Sequence, residues 1–280
     1  MKRTATLFVL LTLVSTLAFA QKEVIEKRQF QPGIFTGVDL SGIVHVVIEK
    51  SDVHTLSVET YADVFDYLKV TNRNGVLCIG LQDGGLPKSI QRKYKDLEVL
   101  CKVTLPELKW IQTSGVVHLS VRDAFRTDKM EIELSGVTKV DMKYLECNEL
   151  EIEVSGVSEI SLYGQTDQLS AELSGASKGY FSLEGKTLTF AAVKLSGTGK
   201  LTLEGKAVRA DLDASGTAAF EGGGFEVESM RAAVSGVSKA RVRVLGSLEP
   251  TLSGASKLHY NRQARLRNVN TSGASRLTYY

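Results

Sequence analysis

The chain has 280 residues, 43% of them hydrophobic and 24% charged, with 34 basic against 32 acidic side chains. That length suits one elongated domain with a substantial core. The near-neutral balance gives no support to nucleic-acid binding, which needs a basic footprint, and 7% aromatics leaves little for base-stacking platforms.

Residues 1–20 read as a secretory signal peptide: Lys2 and Arg3 open it, Leu7 to Leu17 is apolar, and Ala18-Phe19-Ala20 is the cleavage site. The apolar run is short of the about 20 residues a membrane span needs. Gln21 is then the mature N-terminus, and the mature chain carries equal numbers of acids and bases with no transmembrane segment. Its destination is the periplasm, the outer surface or the medium. Cys78, Cys101 and Cys147 fit no metal-binding spacing. They read as buried thiols, with a Cys78–Cys101 bridge as the alternative that export permits.

Residues 21–110 form an irregular β portion. Val38, Leu40, Val44, Val46 and Ile48 alternate around an early Ser41-Gly42. Leu56 to Glu59 is a further strand. Leu68 to Val70, Asn74-Gly75 and Val76 to Leu81 spell a β-hairpin. Residues 83–96, with Lys88, Arg92, Lys93 and Lys95, read as a surface loop, and Leu97 to Leu105 as a strand ended by Pro106. This portion is expected to cap one open end of the repeat region at 111–280, an edge that would otherwise pair with other chains.

Residues 111–280 repeat Ser-Gly at Ser114, Ser135, Ser155, Ser174, Ser196, Ser215, Ser235, Ser253 and Ser272, about every 20 residues. A fixed period of that size means stacked structural repeats. With each Ser as zero, positions −3, −1, +5 and +7 are mostly apolar, as in Ile132, Leu134, Val140 and Met142. Alternation on both sides of Ser-Gly means two short strands per repeat. The strands are too short for a membrane barrel, and Gly and Ser recurring mid-repeat oppose a helix. The fold class is therefore all-β, a parallel β-helix with coils of about 20 residues, and 21–280 is one continuous domain. Gly takes the corner because it reaches positive φ freely. The small residue at +2 (Val116, Val137, Ala176, Thr198, Ala274) is expected to turn inward behind the corner. Tyr260, Tyr279 and Tyr280 are placed to close the last coils, with an exposed docking edge as the alternative.

The Phe35-x-x-Val38-x-Leu40-Ser41-Gly42 segment, the Asn74-Gly75-x-Leu77-x-Ile79 hairpin and Val103-x-Leu105-Pro106-x-Leu108 go together with repeated Ser-Gly-Ala-Ser-Lys and Ser-Gly-Val-Ser-Lys phrases. With these, the chain resembles the head GIN domain family, labelled auto-transporter adhesins, from about Phe35 to near the C-terminus. The resemblance implies an exported β-helical protein of a kind typical of Bacteroidetes. It implies no known activity and no catalytic residues.

No catalytic, metal or cofactor site is expected. His45, His54, His118 and His259 are scattered, and no P-loop or nucleophile elbow is present. Nine copies of Ser-Gly suit architecture better than one active site. Glu133, Glu153 and Glu172 stack at −2, as carboxylate pairs do in polysaccharide-cleaving enzymes, or as a solvated acidic stripe. Position +4 is more distinctive: Lys139, Lys178, Lys200, Lys239, Lys257 and Arg276 recur there. Stacked cations repel. The column reads either as a stripe for an acidic glycan or as charges that keep an edge soluble. The function expected is a non-enzymatic, adhesin-like binding or surface-interaction module. A carbohydrate-active enzyme and a scaffold assembling end to end are the alternatives.

Overall fold

A computed structural model describes residues 25–82, 85–94 and 97–280; the signal-peptide reading lies outside them. The chain is a β-solenoid of about 8 turns. Its strands in chain order are β1 (Ile25–Phe30), β2 (Gly37–Lys50), β3 (Thr55–Tyr61), β4 (Leu68–Arg73) and β5 (Val76–Leu81). After helix α1 (Lys88–Lys93) come β6 (Leu100–Leu105), β7 (Trp110–Arg126), β8 (Lys129–Leu134), β9 (Val137–Glu146), β10 (Glu149–Val154), β11 (Val157–Gln165) and β12 (Gln168–Leu173). The last are β13 (Lys178–Leu195), β14 (Lys200–Ala214), β15 (Ala219–Val234), β16 (Lys239–Leu252), β17 (Lys257–Tyr260), β18 (Arg265–Leu266), β19 (Asn270–Thr271) and β20 (Arg276–Tyr279).

From β7 onward every pairing is parallel and joins a strand to its equivalent one coil along. Ile132, Ile152 and Ala171 stack inside, as do Leu134, Val154 and Leu173. Large and small residues compensate within a coil. Gly179 shares its coil with Phe181, and Gly222 leaves room for Phe220, whose ring a side chain at 222 would strike at 2.5 Å.

β2 is already a coil of this solenoid. Its Ser41-Gly42 lies in register with Ser114-Gly115 of β7. The chain then leaves to build the cap. β5 pairs with the first half of β2 and β6 with the second, both parallel, and β4, β3 and β1 continue outward as antiparallel strands. The Asn74-Gly75 hairpin forms as read, with φ of 52° and 82° at its turn. The stretch read as a loop differs: Lys88–Lys93 is a single helical turn and a half, and Tyr94 behind it stacks on Tyr61 with ring centroids 3.7 Å apart. Asp63 holds both Lys93 and the Tyr94 hydroxyl, which anchors that segment to the cap.

The +2 residues do not turn inward. Val116, Val137 and Val157 are 51%, 54% and 59% exposed, and Ala176, Thr198 and Ala274 are exposed too. The corner Gly at +1 is exposed, and alternation resumes after it in the same phase, so even positions face out and the buried residue is at +3 (Val117, Thr138, Ser158, Ser177, Ala218, Ser238, Ser256). The +2 N–H donates to the Gly carbonyl of the preceding coil, as from Val157 to Gly136 at 2.8 Å. Of the three tyrosines, Tyr260 is half-buried against the core, while Tyr279 and Tyr280 are exposed, and the inner positions Val269 and Thr271 are exposed with them.

The corner explains the invariance of Gly in the repeat. Gly156 has φ of 73°, and a Cβ there would lie 2.4 Å from the Gly136 carbonyl oxygen. Gly156→Ala is expected to cost at least about 1–2 kcal/mol from the backbone conformation alone, more with the clash. Val157→Ala next to it, on an exposed site, should cost little. Urea denaturation of both variants checks this; equal midpoints would refute the account.

Candidate functional site

The Ser-Gly corners form a ridge along the solenoid. The Ser hydroxyls point to the coil before: Ser135 Oγ donates to Thr113 O at 2.8 Å, and Ser155 and Ser174 Oγ to Leu134 O and Val154 O at 3.2 Å. A hydroxyl so engaged is part of the corner.

On one flank of the ridge lies the basic column. Strand register puts His118, Lys139, Glu159, Lys178, Lys200, Ala219, Lys239, Lys257 and Arg276 side by side in that order. The six Lys and Arg residues read from the sequence are therefore brought onto one face, and all are exposed. Among the described residues none of the six makes an ion pair within 4.0 Å. Some basic residues elsewhere on the surface are paired, such as Arg243 with Glu226 at 2.9 Å and Lys194 with Glu172 at 2.8 Å, so it is the alignment of the six, together with their lack of partners, that sets the column apart. The column begins one coil earlier than the repeat suggested. His45 stands at +4 from Ser41 and meets His118 edge to face, ring centroids 5.1 Å apart. Counting from Ser41-Gly42 in the sequence would have found it.

Two further features share this outward face. Ile43, Val116, Val137 and Val157 stack as an exposed aliphatic row beside a groove of about 370 Å³. Farther along the strands, β9, β11 and β13 carry Tyr144, Tyr163 and Tyr180 on successive coils. Tyr163 and Tyr180 have ring centroids 5.6 Å apart at 57°. The Tyr180 hydroxyl donates to Glu204 at 2.9 Å, and that carboxylate pushes the phenol pKa up. The sequence reading missed this cluster because the tyrosines occupy different repeat positions. A register shift between β9 and β11 at Leu162/Gly164 brings Tyr144 beside Tyr163.

On the other flank, Glu133, Glu153 and Glu172 stack as read, with Lys194 continuing the column. Burial, then the neighbouring Glu131 and Glu153, push the Glu133 carboxyl up. No group of three or more His, Cys, Asp or Glu among the described residues could hold a metal ion. The cysteines are free thiols. Burial raises all three, Cys101 to about 12, which keeps them protonated and unreactive.

Together these features define a capped parallel β-solenoid with a long outward face furnished by side chains. The chain belongs to the family described as "Putative auto-transporter adhesin, head GIN domain", whose model matches residues 34–179 and 176–264. Solved structures share the fold. A "putative adhesin" from Parabacteroides distasonis ATCC 8503 is 16% identical with a TM-score of 0.66, covering 92% of this chain and 98% of its own. One from Parabacteroides merdae ATCC 43184 is 14% identical, TM-score 0.65, with 91% and 96% covered. A "Putative lipid binding protein" from Parabacteroides distasonis ATCC 8503 is 16% identical, TM-score 0.62, with 91% and 96% covered. No curated protein matches the sequence. No helix among the described residues is long and apolar enough to cross a membrane.

The acidic flank makes a pH prediction. A carboxyl raised in the folded state binds its proton more tightly there than when unfolded. It therefore opposes folding above its raised pKa, and this cost fades as pH falls through it. Glu133→Gln should raise the melting temperature at neutral pH, by less and less toward acid pH. A melting series across pH showing no gain at neutral pH would contradict it.

Proposed function

We propose that this protein is an exported, non-enzymatic binding module of the adhesin type, with residues 21–280 acting as one unit. The basic column is its recognition surface, and an anionic glycan of a cell surface or matrix is its partner. One observation carries the reading: Lys139, Lys178, Lys200, Lys239, Lys257 and Arg276 are aligned, exposed and without ion partners among the described residues. Glu159 is the one acid in the row, between Lys139 and Lys178; the remaining cations repel one another, and a polyanion lying along the row relieves them. Use of the Ser hydroxyls and of Glu172 in structural contacts supports a role without catalysis. Membership of an adhesin-named family supports a location outside the cell membrane, in line with the leader read at residues 1–20.

The test is binding of labelled polygalacturonate at low and high salt. Exposed charge contacts contribute a few tenths to about 1 kcal/mol each. Replacing Lys178, Lys200, Lys239 and Lys257 together with Gln should therefore weaken binding by about tenfold or more at low salt. The difference should shrink at high salt. Unchanged binding would sink the proposal.

A second reading is favoured by the exposed row Ile43, Val116, Val137 and Val157 beside its groove, and by the lipid-binding name of one similar structure. Under it the groove takes an acyl chain. A fluorescent fatty acid should then bind, and Val137→Glu should abolish binding. No uptake by the unaltered protein would dismiss this reading.

A further inference from the structure

We infer that Tyr144, Tyr163 and Tyr180 form a sugar-stacking subsite, at which one stretch of an anionic polysaccharide is gripped against the solenoid face. The inference rests on the basic column being the recognition surface, and adds to it a second kind of contact at a stated place.

The tyrosines come from three successive coils and lie on the face that bears the column. Tyr144 and Tyr163 are 40% and 46% exposed. Exposed aromatics clustered on a β-surface mark contact sites more often than isolated ones do. Part of the cluster has a structural role, since neighbouring rings stabilise paired strands. That role does not require the rings to stand open to solvent, where core positions of the same coils hold Leu162 and Phe181 fully buried.

The surroundings select the occupant. β9, β11, β13 and β14 each pair with a neighbour on both sides. Their backbone groups are consumed, so a peptide cannot join here as an added strand. Recognition must come from side chains. The tyrosines offer flat apolar faces with a polar tip, which suit the C–H face of a pyranose ring. Ser161 and Thr202, in line with Tyr180 on the adjacent strands, offer hydrogen bonds to sugar hydroxyls. Lys143, Lys178 and Lys200 flank the rings, exposed and without ion partners within 4.0 Å among the described residues. They meet carboxylate or sulfate groups. The carboxylates Asp141, Glu159 and Glu204 stand on the same face, Asp141 beside His118 and Glu204 taken up by the Tyr180 hydroxyl. The stacking surface, the neutral hydrogen bonders and the unpaired lysines then suit a sugar chain whose acidic groups lie toward Lys143, Lys178 and Lys200.

The experiment uses the mature protein with fluorescein-labelled polygalacturonate and chondroitin sulfate fragments, read by anisotropy at low and high salt. Tyr144→Ala/Tyr163→Ala should weaken binding by roughly tenfold at both salt concentrations, leaving the salt dependence as it was. Tyr163→Trp, which keeps a stacking face, should retain affinity. Lys178→Gln/Lys200→Gln should instead flatten the salt dependence. Melting curves identical to the unaltered protein establish that the exposed substitutions leave the fold intact. If the lysine variant loses binding and the tyrosine variant stays within about twofold, the subsite is overturned and the column stands. If the unaltered protein binds neither probe, both fall. If labelled oligothymidylate binds as tightly and is equally weakened by the tyrosine variant, the rings serve bases and the sugar assignment is overturned.

Discussion

Successive coils of this solenoid meet at the Ser-Gly corner through bare backbone. The Gly of each coil sits so near the carbonyl of the Gly before it that no side chain fits between them. The next N–H reaches that carbonyl, and the Ser hydroxyl reaches the one preceding the corner. These bonds converge where the chain turns the corner, the hydroxyl one at Ser135, Ser155, Ser174, Ser215 and Ser272, and they fix how far each coil is rotated and raised on the last. With that spacing set, every other position falls into a column by default. The interior then needs only complementary volume from coil to coil, which is why Gly can stand beside Phe in one repeat and Leu beside Leu in another.

The same spacing governs the outside. A column forces like residues to within a strand separation of one another. Most proteins would relieve a cationic row by interspersing acids, and this surface does so in many places, as with Lys129 and Glu151. The +4 column does so only at Glu159. Acids lie across the ridge instead, at Glu133, Glu153 and Glu172. In the coils of Ser135 and Ser174 the ridge therefore has an acid on one flank and a base on the other, Glu133 opposite Lys139 and Glu172 opposite Lys178.

How much could be read in advance depends on whether a feature repeats. The buried columns and the Gly corner recur in each coil and the basic column in six of nine, so the pattern averages out local noise. The cap hairpin was readable from Asn74-Gly75 alone, because two adjacent left-handed residues permit few other turns. Val116 and its equivalents were misplaced by an argument from size. The rule of alternation, applied through the corner, points them outward. The short helix at Lys88–Lys93 has no apolar stripe and owes its place to contacts with Asp63 and Tyr61, which are distant in sequence. The place of Tyr144 opposite Tyr163 depends on a register shift between strands, and no period in the sequence records such a shift.

Between the coil formed by β2 and its neighbour β7, the chain detours through the whole cap. Lys50 N–H bonds to Asp123 across 73 residues, whereas later coils close over about 20, as from Ser155 to Leu134 across 21. By loop entropy the longer closure costs about 1 kcal/mol more. The later coils can each add to the one before at low cost, but the first coil meets its next coil only after β5 and β6 have been laid against it. Assembly that begins in the middle and finishes at the cap is the consequence of this ordering. For a chain emerging from its amino end, the earliest segment to appear is then among the last to settle.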